Sequence, residues 1–156
     1  MHTVPIDYDH EMYARAREIA GGSDERLFED YFDAQLDMLR ALKPPVVGHF
    51  DLIRLKSDDP ERSFKTWPGV WSRILRNLDF VVEYGGLVEV NGAALRKGMS
   101  EPYPKAEICE VCLMSWFLPW CCRSFFFLRL LFFIPLEMLI PSLGTHGSGR
   151  TLLPLG

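Results

Sequence analysis

Charge runs out at Glu110. Of the 38 Lys, Arg, Asp and Glu side chains, 34 lie in residues 1–110, and only Arg123, Arg129, Glu137 and Arg150 follow. This partition limits what can fold, because a water-facing surface needs polar side chains that the last third does not supply. The first part carries 14 basic and 20 acidic groups and suits an ordinary domain. A length of 156 residues likewise fits one domain and is short for two. Hydrophobic content of 48% excludes wholesale disorder, and a net charge of −4 offers no basic footprint, so no nucleic-acid partner is expected. The division expected is a folded domain over 1–110 and an aberrant hydrophobic tail over 111–156.

Within the first part, helical and extended patterns alternate. Asp9 to Ala20 reads as a helix stopped by Gly21-Gly22. Ser23 then caps a second helix over Asp24–Leu42, whose apolar stripe is Leu27, Phe28, Tyr31, Phe32, Leu36, Leu39 and Leu42, and which Pro44-Pro45 closes. Val46-Val47-Gly48-His49 has the look of a buried parallel strand that delivers polar groups at its carboxyl end. A polar loop from Ser57 to Thr66 precedes a helix opened by Pro68. Its stripe is Trp71, Ile74, Leu75, Leu78 and Val82, and Gly85-Gly86 ends it. A second strand follows over Leu87–Asn91, and Pro104 to about Val111 reads as the opening of a further helix. The order predicts an α/β architecture with a parallel sheet, but two strands do not complete one.

Beyond Glu110 the periodicity fails. Leu113–Leu136 is rich in Phe, Leu, Trp and Cys, with Arg123 and Arg129 inside it and Pro119 and Pro135 interrupting it. Each central Arg costs about 2.5–3.5 kcal/mol in a spanning helix, so membrane association through 113–136 is the lesser expectation. Codons for these residue types are pyrimidine-rich, and the segment reads as retained-intron or frame-shifted translation. The four cysteines, Cys109, Cys112, Cys121 and Cys122, are bunched rather than spread as a disulfide framework would be. No signal-peptide pattern opens the chain, so a reducing, cytoplasmic setting is expected.

Several side chains invite chemistry. His49 follows the first strand, with Asp51 two residues on, and Arg54 and Lys56 beyond as candidate anion partners or a solvated turn. A strand-end histidine is also often a hydrogen-bonded structural group, and that reading stays open. Glu89 and Asn91 alternate on the second strand and share a side, with Arg96 and Lys97 close behind. These would suit a phosphorylated ligand or an internally satisfied loop equally well. His2 and His10 flank Asp7 and Asp9 without a recognisable ligand spacing, and Cys109-Glu110-Val111-Cys112 lacks the second ligand pair that a zinc site needs. Walker, Rossmann and serine-elbow motifs are missing.

His2-Thr3-Val4-Pro5-Ile6-Asp7, Leu27-Phe28-Glu29-Asp30-Tyr31-Phe32 and Pro44-Pro45-Val46-Val47-Gly48-His49-Phe50-Asp51-Leu52-Ile53-Arg54, continued by Glu89–Lys97 and Tyr103-Pro104, resemble the histidinol-phosphatase family of the polymerase and histidinol phosphatase (PHP) superfamily, in its fungal form. The resemblance covers residues 2–110. It implies part of a distorted (β/α)7 barrel and a phosphoric monoester hydrolase that converts L-histidinol phosphate to L-histidinol and phosphate in histidine biosynthesis. It also implies a cluster of divalent metal ions (Zn, Mn or Fe) at the carboxyl ends of the strands. By the same resemblance His49 matches a metal-ligand position, His2 and Arg54 lie toward the substrate, and Asp51, Glu89 and Asn91 stand behind the metal and substrate contacts. The family's opening His-x-His pair and its closing Asp-containing ligand motif have no counterpart here. A fragment with weak or no activity is therefore expected, and the alternative is a non-catalytic fragment whose tail associates with membranes or aggregates.

Overall fold

The computed structural model describes residues 4–117, with side chains through Cys112. Helix α1 (His10–Ile19) starts where the Asp9 carboxylate accepts the Met12 N–H at 2.7 Å. Helix α2 (Asp24–Leu42) starts at Ser23, whose hydroxyl accepts the Arg26 N–H, and it ends at a left-handed Lys43. Strand β1 (Val46–Val47) follows, then two short 3-10 turns, Leu52–Lys56 and Phe64–Thr66. Helix α3 (Pro68–Tyr84) has proline in its first turn and closes on Gly85, whose φ of 78° favours glycine. Strand β2 (Leu87–Val88), a single turn α4 (Ala93–Arg96) and helix α5 (Ala106–Phe117) complete the order.

Among the described residues the sheet consists of β1 and β2, paired parallel with Val46 opposite Leu87 and Val47 opposite Val88. The expected α/β character is present, in a helix-rich form with strands shorter than the apolar runs suggested. Helices α2 and α3 make the main packing layer. Phe28, Phe32, Phe50 and Phe64 stack through its centre, with ring centroids 5.9 Å apart for Phe32–Phe50 and 6.1 Å for Phe32–Phe64. Across the outer rim Asp33 pairs with Arg73 at 3.0 Å and Arg76 at 2.9 Å, while Glu29 also meets Arg73.

Two details depart from the sequence expectation. The buried face of α3 is Val70, Ile74, Asn77, Leu78 and Val81, while Val82 turns outward. Helical spacing from Val70 and Ile74 carries Val81 to the core and rotates its neighbour away. Helix α5 also passes through the junction expected at 110. Val111 packs against the core and Cys112 is buried in it, so the folded part reaches at least that far. No helix among the described residues is long and apolar enough to cross a membrane. Of the stretch 113–136, the part beyond Phe117 lies outside the described residues.

Candidate functional site at the strand ends

Because β1 and β2 run parallel and in register, their carboxyl ends leave Gly48-His49 beside Glu89-Val90-Asn91. The Glu89 N–H donates to the Val47 carbonyl at 2.9 Å, the last tie before the two chains diverge. Past that tie His49 adopts a left-handed backbone, φ 47°. For a non-glycine residue this costs about 1–2 kcal/mol, and such strain gathers where a side chain must be aimed. His49 Nδ1 lies 3.9 Å from Glu89 Oε2, and the other Glu89 oxygen accepts from Asn91 Nδ2 at 3.0 Å. Both members of the pair are partly open to solvent, at 41% and 34% of their side-chain surfaces, so a ligand can reach them.

Gly48 is what permits this approach. A Cβ placed there would stand 3.0 Å from Glu89 Oε2, a distance at which the carboxylate must give way. Asn91 is in turn fixed from three directions. Its Oδ1 accepts the Ala93 N–H at 2.8 Å, and its backbone exchanges two hydrogen bonds with Tyr103, at 2.7 and 3.0 Å. Tyr103 is fully buried, and its ring lies 5.4 Å from that of His49. Lys97 Nζ sits 5.9 Å from the same ring centroid, bringing an exposed cation to the rim.

Asp51 and Arg54 sit beneath this rim, almost sealed from solvent. The Asp51 Oδ2 accepts from Arg54 Nε at 3.1 Å and from the Lys105 N–H at 2.9 Å. Burial pushes the Asp51 carboxyl up to about 6, against the pull of Arg54 and the Lys105 amide. Arg54 also donates to the Pro60, Glu101 and Pro102 carbonyls, at 3.3, 2.8 and 2.6 Å. With its nitrogens so committed, Arg54 ties the 99–105 segment to the strand ends, and in this geometry it does not face a phosphate. Asp51 Oδ1 and the Tyr103 hydroxyl are buried without a hydrogen-bond partner among the described residues.

The structure therefore brings together His49, Glu89 and Asn91, and it sets Asp51 and Arg54 behind them. His2 lies outside the described residues. The nearby Val4 and Ile6 pack on the core. Among the described residues no three His, Cys, Asp or Glu converge to hold a metal ion. His49 and Glu89 supply two donors, fewer than the three or four that a protein metal centre needs, so these residues alone do not fit one. Cys109 and Cys112 are free thiols that burial raises to about 12 and about 11, which favours the protonated form over the thiolate. Lys97 was legible as one of two cations beside Glu89 and Asn91 that would suit a phosphorylated ligand or a satisfied loop, whereas Tyr103 carried no assigned role, its signal lying only in its place inside a resembling segment.

Comparison with known proteins came out as follows. The chain is 40% identical over 112 residues to a probable histidinol-phosphatase of Schizosaccharomyces pombe, an overlap of 71% of this chain and 37% of that protein. It is 34% identical over 128 residues to a histidinol-phosphatase of Saccharomyces cerevisiae, covering 69% and 38% of the two. The chain thus spans under two-fifths of the length of these curated relatives. No protein-family profile matches it, and no solved structure matches it.

Proposed function

The chain is a homologue of the histidinol-phosphatases, and from that premise we propose that the protein it represents hydrolyses L-histidinol phosphate to L-histidinol and inorganic phosphate, a step of histidine biosynthesis. The observation that carries this reading is the His49–Glu89 pair, open to solvent at the carboxyl ends of two parallel strands, in a chain with two such relatives. Strand ends of this kind are where α/β folds collect ligand-binding groups. The parallel pair joined through α3 is one unit of the repeating pattern that a distorted (β/α)7 barrel would extend, and residues 4–112 would contribute part of that barrel.

In this reading His49 and Glu89 stand at the reacting phosphate, Asn91 fixes the Glu89 carboxylate, and Lys97 supplies positive charge at the rim for the phosphoryl oxygens. Asp51 and Arg54 hold the floor. His2 would approach the substrate from the start of the chain. A divalent ion, Zn, Mn or Fe, would need donors beyond His49 and Glu89, so residues 4–112 by themselves should be weakly active or inactive. The reading carries with it a cytoplasmic setting, in which clustered thiols stay reduced.

The test is to capture the endogenous protein with an antibody to residues 24–42, record its intact mass, and follow phosphate release from L-histidinol phosphate. The expected result is a preference for that substrate over simple phosphomonoesters, and a loss of at least about a hundredfold in His49→Ala. Equal rates on unrelated phosphomonoesters, or an undiminished His49→Ala protein, would overturn the proposal.

A further inference from the structure

A run of polar groups, exposed at Arg76 and buried at Asn77 and Gln35, links α3 and α2 to the Phe50 carbonyl beside His49. Arg76 donates to Asn77 Oδ1 at 3.2 Å from Nε and 3.1 Å from Nη2. Asn77, fully buried on α3, donates from Nδ2 to the Phe32 carbonyl at 2.7 Å and to Gln35 Oε1 at 3.1 Å. Gln35 then donates from Nε2 to the Phe50 carbonyl at 2.8 Å, and the Tyr31 hydroxyl donates to the same oxygen at 3.3 Å. Both lone pairs of the Phe50 carbonyl are therefore engaged by side chains of α2.

That oxygen lies one residue past the left-handed His49, inside the turn that His49 opens, and two further constraints close around it. The Phe50 ring is sealed in the aromatic core, and the Leu52 N–H returns to the His49 carbonyl at 3.0 Å. A residue in a sparsely populated backbone region stays there only when its surroundings over-determine it. Gln35 and Asn77 are otherwise puzzling, since amides on an inner helical face displace apolar packing and demand partners. The partner that Gln35 finds is the peptide unit between Phe50 and Asp51, one residue past that of His49.

We propose that Gln35 and Tyr31 are positioning residues for His49. By clamping the Phe50 carbonyl they hold the left-handed turn that presents the imidazole to Glu89, with Asn77 fixing the orientation of the Gln35 amide. This rests on the reading of His49 as a group of the phosphatase site. The donors run one way from Arg76 to Phe50, so rotating the Gln35 amide would break two bonds at once.

The test uses the full chain and the variants Gln35→Met, Tyr31→Phe and Leu78→Ala. Leu78→Ala serves as a control that loosens the same helix interface without touching the clamp. The readouts are the imidazole nitrogen resonances of His49 and the hydrogen exchange of the Leu52 amide. The expected result is shifted His49 resonances and Leu52 exchange faster by about tenfold in Gln35→Met, a smaller change of the same sign in Tyr31→Phe, and neither in Leu78→Ala. Unchanged His49 signals in the clamp variants, or equal changes in Leu78→Ala, would overturn the proposal. If Gln35→Met does not fold, Tyr31→Phe decides in the same terms. In the phosphatase assay of the endogenous-length protein, Gln35→Met should lower kcat and leave KM within about twofold. Should the clamp variants move His49 while His49→Ala keeps full activity, the functional reading fails and the positioning stands.

Discussion

At the scale of single residues, the site depends on how closely a carboxylate can approach a strained backbone. Gly48 has no need of glycine for its own backbone. It needs the space, because an added Cβ would meet Glu89 Oε2 at 3.0 Å. Glu89 is about one-third exposed and its carboxylate is tethered by Asn91 at the end of a flexible side chain, so Gly48→Ala should change stability by under about 1 kcal/mol while parting Glu89 from His49. Phosphate release should then fall at least about tenfold, and thermal unfolding beside the rate measurement checks both halves. Asp51 presents the opposite case, a carboxyl sealed in with Arg54. Burial raises it from 3.8 to about 6, so across that interval the folded chain keeps a proton that the unfolded chain has released. The stabilisation is fully present below the unfolded value and is lost as pH rises through the folded one. Measured against Asp51→Asn, which cannot titrate there, the wild-type chain should lose up to about 3 kcal/mol between pH 4 and pH 7. Urea unfolding of both proteins at the two pH values decides it, and a constant gap would refute the assignment. Comparison with the variant is essential because Asp33 and Glu61, lowered by Arg73 with Arg76 and by Ser100 respectively, tilt the whole-chain curve the other way.

At the scale of elements, α2 against α3 carries most of the packing, and the two ends of an apolar stripe are not equivalent. Leu39 is wholly buried between the helices, whereas Leu42, on the same sequence stripe, keeps 69% of its surface in water. Leu39→Ala should cost about 2–5 kcal/mol and Leu42→Ala under about 0.5, as read from chemical unfolding. Sequence periodicity places both leucines on one face because it cannot tell where the partner helix stops. Much else was legible at this scale. Ser23, Pro68 and Gly85 mark helix ends by local chemistry, and the short apolar runs before His49 and Glu89 mark the strands. What escaped was long-range. Asn77 finds Gln35 from 42 positions away, and Arg54 finds the carbonyls of Glu101 and Pro102 from 47 and 48. Spacing along the chain carries no trace of such partners, so an arginine beside a candidate histidine reads as an anion contact until its nitrogens are seen to be occupied. The junction expected at 110 falls inside α5 for a related reason. The loss of charge after Glu110 resembles the end of a domain, yet Cys112 lies on a face that the core covers.

At the scale of the whole molecule, the described residues put a substantial helical layer against very little sheet. Parallel strands are ordinarily buried on both faces and flanked by neighbours. Here β1 leaves Val46 45% exposed, and each strand has one neighbour among the described residues. The ladder bonds, from the Leu87 N–H to the Pro45 carbonyl at 3.0 Å and from the Glu89 N–H to the Val47 carbonyl at 2.9 Å, therefore open without crossing a layer of packed side chains on the outer edge. The amides of α3 around Ile74 and Leu78 open only when the aromatic core opens. Hydrogen exchange in the 156-residue chain should accordingly rank the Leu87 and Glu89 amides at least about tenfold faster than those of Ile74 and Leu78. The same measurement bears on the barrel. If the endogenous protein carries further strands beside β1 and β2, these two amides become interior to a larger sheet and their exchange slows toward that of α3, while Ile74 and Leu78 change little. If the strand amides exchange alike in the 156-residue chain and in the endogenous protein, no strand has joined them. His49 and Glu89 would then face solvent with two donors between them, and the metal-dependent phosphatase reading would lose its structural footing.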